Sequence, residues 1–419
     1  MGAFAGAATA RADETCQSPY MAKIEGEEEF VYVWTLGVEG VGDGSDKIVT
    51  VDVRKDSPTF GKVVDTDSVG GRHEAHHGGL TDDRRHYWVQ GLDSSMIWIF
   101  DIATDPSNPK LVRTIDNFVE ASGGVAGPHG AYALPGRMLI SGLSNKDRSG
   151  RTGLVEYTND GEYIATYWMP TADDPQGARN GEKADGYGYD ARVLPRRNVM
   201  LTSSFTGLDN YMRDIGEVIS DPESMKRFGS TMVLWDFHAR KPRQVFEVPG
   251  TPLEIRWAWG EDHNYAFTTT ALTSEIWLVH EDANGEWKAQ SVGKIGDPAK
   301  IPLPVDISLS ADDSTLIVDS FMDGMTRIYN VKDPFNPKLI HEEKIGSQVN
   351  MVSQSWDGKR LYYTSSLLAN WDKKGDENEQ FLKAYHWDGE SLKPRFEIDF
   401  LAEGLGRPHL MRFGSSELY

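Results

Sequence analysis

The sequence predicts an all-β fold, a seven-bladed β-propeller closed by its C-terminal strand joining the N-terminal blade. Three observations predict it. Most segments alternate apolar and polar residues with period two, as in EEFVYVWTLG, DKIVTVDV, SSMIWIFDI, STMVLWDF, SEIWLVHED and GMTRIYNV. Such runs, bounded by Gly, Asp, Asn and Pro, are strands, and helix signals are scarce. The strands recur as a unit, and units of about 40–50 residues built from four short strands make propeller blades. The last unit is incomplete, and the first lacks an inner strand.

Residues 1–12, MGAFAGAATARA, read as the remnant of a signal peptide: small and apolar, ending Ala10-Arg11-Ala12, an A-x-A cleavage pattern before Asp13. They imply export to a bacterial periplasm and are excluded from the domain, which runs over 13–419. The strands from Phe30 to Val64 come next and lack an inner partner. SSMIWIFDIATDPSNPKLVRTID then matches GMTRIYNVKDPFNPKLIHEEKIG almost position for position: a strand, an Asp-Pro-x-x-Pro turn, a strand. A second phrase, an inner strand, a turn and a strand ending in Ser or Thr, appears as HGAYALPGRMLISG, DARVLPRRNVMLTSS, DISLSADDSTLIVDS and VSQSWDGKRLYYTSS.

Inner strands therefore begin near His77, His129, Tyr189, Glu254, Asp306, Asn350 and His409. RPHLMRFGSSELY is an inner strand with nothing after it, so it completes the first blade and leaves no free sheet edge. MPTADDPQGARNGEKADGYGYD and FTGLDNYMRDIGEVISDPESMKRFGS interrupt the rhythm as inserts that can wall a pocket. In the second, Asp221 or Ser220 before Pro222 is a helix N-cap.

Composition excludes several function classes. The 419 residues are 39% apolar and 26% charged, with a net charge of −21. A surface this acidic repels nucleic acid and anionic membranes. No apolar run reaches the ~18 residues of a transmembrane helix. Cys16 is the only cysteine, so no intrachain disulfide forms.

VGGRHEAHHGGL contains His73-Glu74-Ala75-His76-His77, an H-E-x-x-H match. That zinc-protease signature needs a helix, where histidines four apart share a face. Gly70, Gly71, Gly78 and Gly79 bracket the stretch, each costing about 1 kcal/mol inside a helix. A strand or loop is predicted instead, and the peptidase reading falls away. In a propeller, equivalent positions of successive inner strands meet around the central channel. His76, His77, His129 and His409 then gather at one end of it, from three consecutive blades. Imidazole clusters without thiolate suit copper, zinc, iron or nickel. Adjacent strand residues point to opposite sides, so both His76 and His77 can ligate only through a bulge, which Gly78-Gly79 permits. His73, His86, His238, His263, His280, His341 and His386 read as surface residues. Glu74 is the candidate proton-handling group. Cys16 is either an apolar filler or a thiol that engages substrate or metal.

RHEAHHGG, GYDARVLPRRNVMLTSSF, VLWDFHARK, PLEIRWAW, SWDGKRLYYTSSLLANWD and RPHLMRF resemble, in the same order, the selenium-binding protein family, over residues 13–419. The resemblance implies a periplasmic, copper-dependent oxidation of methanethiol by O2 and water to formaldehyde, hydrogen sulfide and hydrogen peroxide. It implies copper held by His76, His77, His129 and His409, and it keeps Cys16; Glu74, by its place beside the histidines, and Cys16 are the catalytic candidates. Animal members carry His-Thr-x-His where this chain has PHGAY, and they carry cysteines absent here, so chemistry resting on those does not carry over. The expected partners are methanethiol and O2, with homo-oligomerisation open. The alternative reading is a periplasmic propeller that binds copper or thiols without turnover, since propellers host many functions.

Overall fold

Alternation along each strand buries one row of side chains between neighbouring sheets, and that packing builds the ring. The computed structural model describes residues 14–148, 151–172 and 181–418. Residues 1–12, expected to be a signal-peptide remnant, and part of the first insert lie outside the described residues. The described residues form seven four-stranded antiparallel sheets. Their innermost strands are Ala75–Leu80, Val125–Leu134, Ala191–Leu194, Pro252–Trp257, Pro304–Leu309, Val352–Gln354 and Arg407–Gly414. We number the blades 1 to 7 in that order.

Blade 7 is closed by both ends of the chain. Arg407–Gly414 pairs antiparallel with Phe30–Leu36, with Val33 opposite Met411. Lys47–Asp52 and Lys62–Ser68 complete the sheet. The closure read from RPHLMRF is therefore observed. Indoles stitch adjacent blades: Trp34 Nε1 donates to the Gln90 carbonyl at 2.9 Å and Trp257 Nε1 to that of Arg192 at 3.0 Å. Trp34, Trp88, Trp98 and Trp235 are fully buried between sheets. The two Asp-Pro-x-x-Pro turns share one geometry. Asp105 accepts from Ser107 N at 3.0 Å and Asp333 from Phe335 N at 3.1 Å, so the aspartate fixes each turn.

Boundaries differ from the sequence reading at three inner strands. His129 lies in the middle of Val125–Leu134, because residues on both sides of it pair with Arg137–Asn145. Tyr189 and Asn350 each precede their strands by two residues. In the second insert Asp221 accepts from Glu223 N and caps the short helix Pro222–Met225, while Ser220 ends the preceding helix Ile215–Ser220. Among the described residues no helix is long and apolar enough to cross a membrane.

Candidate metal centre

The strand Ala75–Leu80 opens with a bulge. Ala75 pairs with Gly91 and Gly78 with Val89, and the register shifts between them. The two residues inside the shift are His76 and His77. The glycines after them are required by close approach: a Cβ on Gly79 would sit 2.1 Å from the Ala131 carbonyl oxygen, and one on Gly78 2.6 Å from that of Trp88. The stretch is a strand, not a helix, so the H-E-x-x-H match carries no protease geometry. Glu74, just before it, sits at φ 58, a left-handed conformation that turns the chain into the bulge. A second register shift, between Pro128 and Ala131, surrounds His129.

These bulges and the closing strand bring four imidazoles together. Ring centroids are 3.9 Å apart for His76–His409 and for His77–His129, 4.9 Å for His76–His129, and 5.0 Å for His76–His77. One ring nitrogen from each of His76, His77 and His409 lies within 4.8 Å of the others, a group that could hold a metal ion. Four buried ring nitrogens have no hydrogen-bond partner: His76 Nδ1 and the Nε2 atoms of His77, His129 and His409. Buried polar atoms are ordinarily paired. Four such orphans in one cluster of rings, three of them with ligand atoms within 4.8 Å of one another, are a donor set that suits a metal.

The opposite nitrogens are mostly occupied by acceptors. His129 Nδ1 donates to the Tyr189 carbonyl at 3.0 Å. The backbone of Leu367 hydrogen-bonds to His76, and the backbones of Ser366 and Leu367 to His409. Asn350 Nδ2, which donates to the Ser366 carbonyl at 2.5 Å, lies 3.1 Å from His409 Nδ1. Donation to carbonyls fixes these tautomers and leaves the orphaned nitrogens as lone pairs. Burial, then mutual proximity, holds His76 and His77 well below the ordinary imidazole range. Burial pushes His129 and His409 down to about 3. All four imidazoles are neutral near pH 7.

His76 opens onto an apolar pocket whose walls include Tyr189, Leu253, Phe228 and Trp371. The second insert supplies Phe205 and Phe228, and the loop 366–372 supplies Leu367, Leu368 and Trp371. Trp371 Nε1 donates to the Arg213 carbonyl at 3.0 Å, fastening loop to insert. Asp372 anchors the same loop: it accepts from Leu367 N at 2.8 Å and pairs with Arg407 at 3.1 Å.

Beyond the histidines, along the channel, lies a layer of ion pairs. Arg256 joins Glu254 at 2.7 Å and Asp306 at 2.9 Å, and Arg192 joins Asp190 at 2.8 Å. Arg412 donates to the Gly78 carbonyl on one side and pairs with Glu14 on the other. Glu14 belongs to the N-terminal segment, which crosses the channel beneath this layer; Thr15 reaches Ser308 at 3.0 Å.

The structure thus gathers all four candidate histidines, while the carboxyl of Glu74 and the thiol of Cys16 each have other partners. Cys16 lies in the N-terminal segment, where its thiol contacts Glu14 at 3.2 Å, Gln17 at 3.6 Å and Arg412 at 3.9 Å. Burial, then Glu14, pushes it up to about 12, so it is a neutral thiol. Glu74 is buried, and its Oε1 accepts from Ala369 N at 2.7 Å, on the pocket-lining loop. Burial, then Asp93, pushes Glu74 up to about 8. Of the histidines read as surface, His238 and His263 are exposed, while His73, His280 and His341 are half-buried against Trp98, Phe335 and Trp387. The loop 366–372 was missed by sequence reasoning. SSLLANWD offers no periodicity, and its carbonyls act through backbone geometry that no residue type announces.

A model of the family described as 56 kDa selenium binding protein matches residues 10–417. A protein named methanethiol oxidase from Ruegeria pomeroyi is 64% identical over 411 residues, covering 97% of this chain and 94% of that one. Its namesake from Hyphomicrobium is 55% identical, covering 96% and 91%. The namesake from Homo sapiens is 27% identical, covering 93% and 94%. A solved structure, a hypothetical selenium-binding protein from Sulfolobus tokodaii, shares the fold, with a TM-score of 0.80 at 24% identity over 93% of this chain and 94% of that chain.

Proposed function

The chain belongs to the 56 kDa selenium binding protein family, and from that premise we propose that it is a periplasmic, copper-dependent methanethiol oxidase. The proposed reaction takes methanethiol, O2 and water to formaldehyde, hydrogen sulfide and hydrogen peroxide. Carbon loses two electrons and O2 gains them, and water supplies the oxygen of formaldehyde while sulfur leaves as sulfide.

The observation that carries the reading is the pairing of four orphaned imidazole nitrogens with an apolar pocket, in a chain 64% identical to a protein named for this activity. His76, His77, His129 and His409 would hold the copper. When bound, copper supplies affinity for a soft thiolate and one-electron exchange with O2. The protein does the rest. The pocket takes the methyl group against Leu253, Phe228 and Trp371 and keeps bulk water from the reacting carbon. Ser366 and Leu367 carbonyls keep His76 and His409 oriented. Glu74, whose carboxyl accepts from Ala369 N next to the pocket-lining Leu368, is assigned as the group that accepts a proton from carbon when ionised, so turnover is expected to rise with pH towards about 8. Cys16, enclosed by Glu14 and Arg412, is assigned no part in the reaction. The periplasmic location rests on the A-x-A pattern of residues 10–12.

Incubation of the purified protein with methanethiol and O2, assaying all three products together, tests the reaction. Equal yields are expected. Copper-dependent thiol binding with none of the products would leave the non-catalytic binding protein standing instead.

A further inference from the structure

Three of the four rings at the centre are oriented by backbone: His129 by the Tyr189 carbonyl, His76 by that of Leu367, and His409 by those of Ser366 and Leu367. His77 is the exception. Its Nδ1 faces a side chain, Glu254 Oε1, at 3.9 Å. We propose that Glu254 is the positioning residue of His77, accepting its Nδ1–H so that Nε2 is presented to the metal. The inference rests on the copper reading of the histidine cluster.

The geometry singles out this carboxylate. Glu254 Oε2 is pinned by Arg256 at 2.7 Å and by Arg192 at 3.4 Å. Oε1 has no hydrogen-bond partner although it is buried. Its neighbours in the ion-pair layer have no such spare oxygen. Asp190 accepts from Ala191 N, Arg192 and Ile255 N. Asp306 accepts from Arg256, Ile307 N and Val352 N. An orphaned acceptor and a histidine nitrogen therefore face each other across a gap that a ring displacement of about 1 Å closes to hydrogen-bond length. On the far side of the same ring, Nε2 is orphaned and aimed at the cluster. A carboxylate on one ring nitrogen and a metal on the other is the arrangement that fixes tautomer and raises ligand basicity. His77 depends on such a partner more than the other three do, because their rings bond to backbone carbonyls and its ring is bonded to none.

Arg256 and Arg192 both donate to Oε2, which favours the carboxylate form and leaves Oε1 as the acceptor that faces His77.

Two measurements test the proposal. Copper(I) affinity, by competition with a chromophoric chelator, is expected to fall by roughly 10–100-fold in Glu254→Gln. It is expected to stay within about threefold of the unaltered protein in Asp306→Asn, which also alters a carboxyl contact of Arg256 but touches no histidine. Unchanged affinity in Glu254→Gln, or an equal loss in Asp306→Asn, overturns the proposal. The second readout needs no metal. Nitrogen-15 shifts of labelled histidines are expected to show His77 protonated on Nδ1 in the unaltered protein and on Nε2 in Glu254→Gln, where an amide N–H faces the ring. An unchanged tautomer also overturns the proposal, whatever the copper site does. Should the glutamine variant fail to fold, Glu254→Asp keeps a charge for both arginines, withdraws the oxygen from His77, and is expected to lose copper affinity over the same range.

Discussion

His129 donates from Nδ1 to the backbone carbonyl of Tyr189 across 3.0 Å, and the Tyr189 ring packs on the same imidazole with centroids 4.1 Å apart. One residue thus fixes both the tautomer and the tilt of its neighbour. Ser141 Oγ donates to the same carbonyl at 2.5 Å, so blade 2 holds the first turn of blade 3 in place. The histidine is preorganised, with its Nε2 left without a partner beside the other three rings.

On the proposed copper reading, that arrangement predicts that His129 and His409 are both required for metal retention. A His129→Ala, His409→Ala double variant removes two of four orphaned nitrogens from two different blades. It is expected to purify with copper below a tenth of the unaltered protein's content, by elemental analysis. Full copper retention would sink the ligand assignment.

Deleting residues 405–419 should abolish folding along with activity. Leu410, Met411 and Phe413 are fully buried, and their strand pairs with Phe30–Leu36 along its length. Burying three such side chains is worth roughly 5–9 kcal/mol, comparable to the whole stability of a domain. A truncated protein that keeps a cooperative thermal transition at the original midpoint would show that the closing strand is dispensable.

Both of those arguments were legible in the sequence. RPHLMRF stood alone after the last complete unit, and the strands from Phe30 lacked an inner neighbour, so closure followed from counting. His76 and His77 could share one site only through a bulge, and Gly78-Gly79 marked it. What stayed hidden acts through backbone or distant contact. The Leu367 and Tyr189 carbonyls belong to residues whose side chains say nothing of hydrogen bonding. Cys16 reads as either an apolar filler or a thiol open to substrate or metal, and nothing in the sequence shows its contacts with Glu14 and Arg412. Glu74 stands two residues from a candidate ligand, yet its positive φ turns the carboxylate to Ala369.

The pocket wall sets which thiols fit. Phe228 lines it from the insert, with its ring 6.0 Å from that of Phe205. Phe228→Ala opens room for a longer alkyl chain, and one methylene in an apolar pocket is worth about 10-fold or more in discrimination. The ratio of kcat/KM for 1-propanethiol to that for methanethiol is expected to rise by at least ~10-fold. An unchanged ratio would place the chain-length limit on another wall.

Asp306 gives a pH dependence of stability. Burial, opposed by Arg256 and reinforced by Glu254, pushes its carboxyl up to about 7, whereas an unfolded aspartate titrates near ~3.9. Between those values the folded chain holds a proton that the unfolded chain has released. Stability therefore falls as pH rises through that window, and the contribution present below about pH 4 is gone by about pH 7. The neighbouring Asp190 and Glu254 titrate with it, so the slope belongs to the group. Urea unfolding at several pH values should show a shallower decline in Asp306→Asn than in the unaltered protein. Parallel curves would contradict the assignment.

Glu74 separates two roles that one residue can hold. As an anchor, its Oε1 accepts from Ala369 N and steadies the loop that carries Leu367, Leu368 and Trp371. As a base, it would take a proton during oxidation of the methyl carbon. Glutamine keeps the first role, because an amide oxygen accepts from Ala369 N as a carboxyl oxygen does. It removes the second, because an amide takes no proton near neutral pH. Glu74→Gln is therefore expected to retain copper and an unchanged thermal midpoint while kcat falls by roughly 10²–10⁴-fold. A fall in KM or in the midpoint with kcat intact would make Glu74 a structural clasp, and the proton acceptor would then be sought on another pocket-facing group. A copper-replete Glu74→Gln enzyme of undiminished kcat leaves no catalytic part for this carboxyl, since every contact the structure gives it survives the substitution.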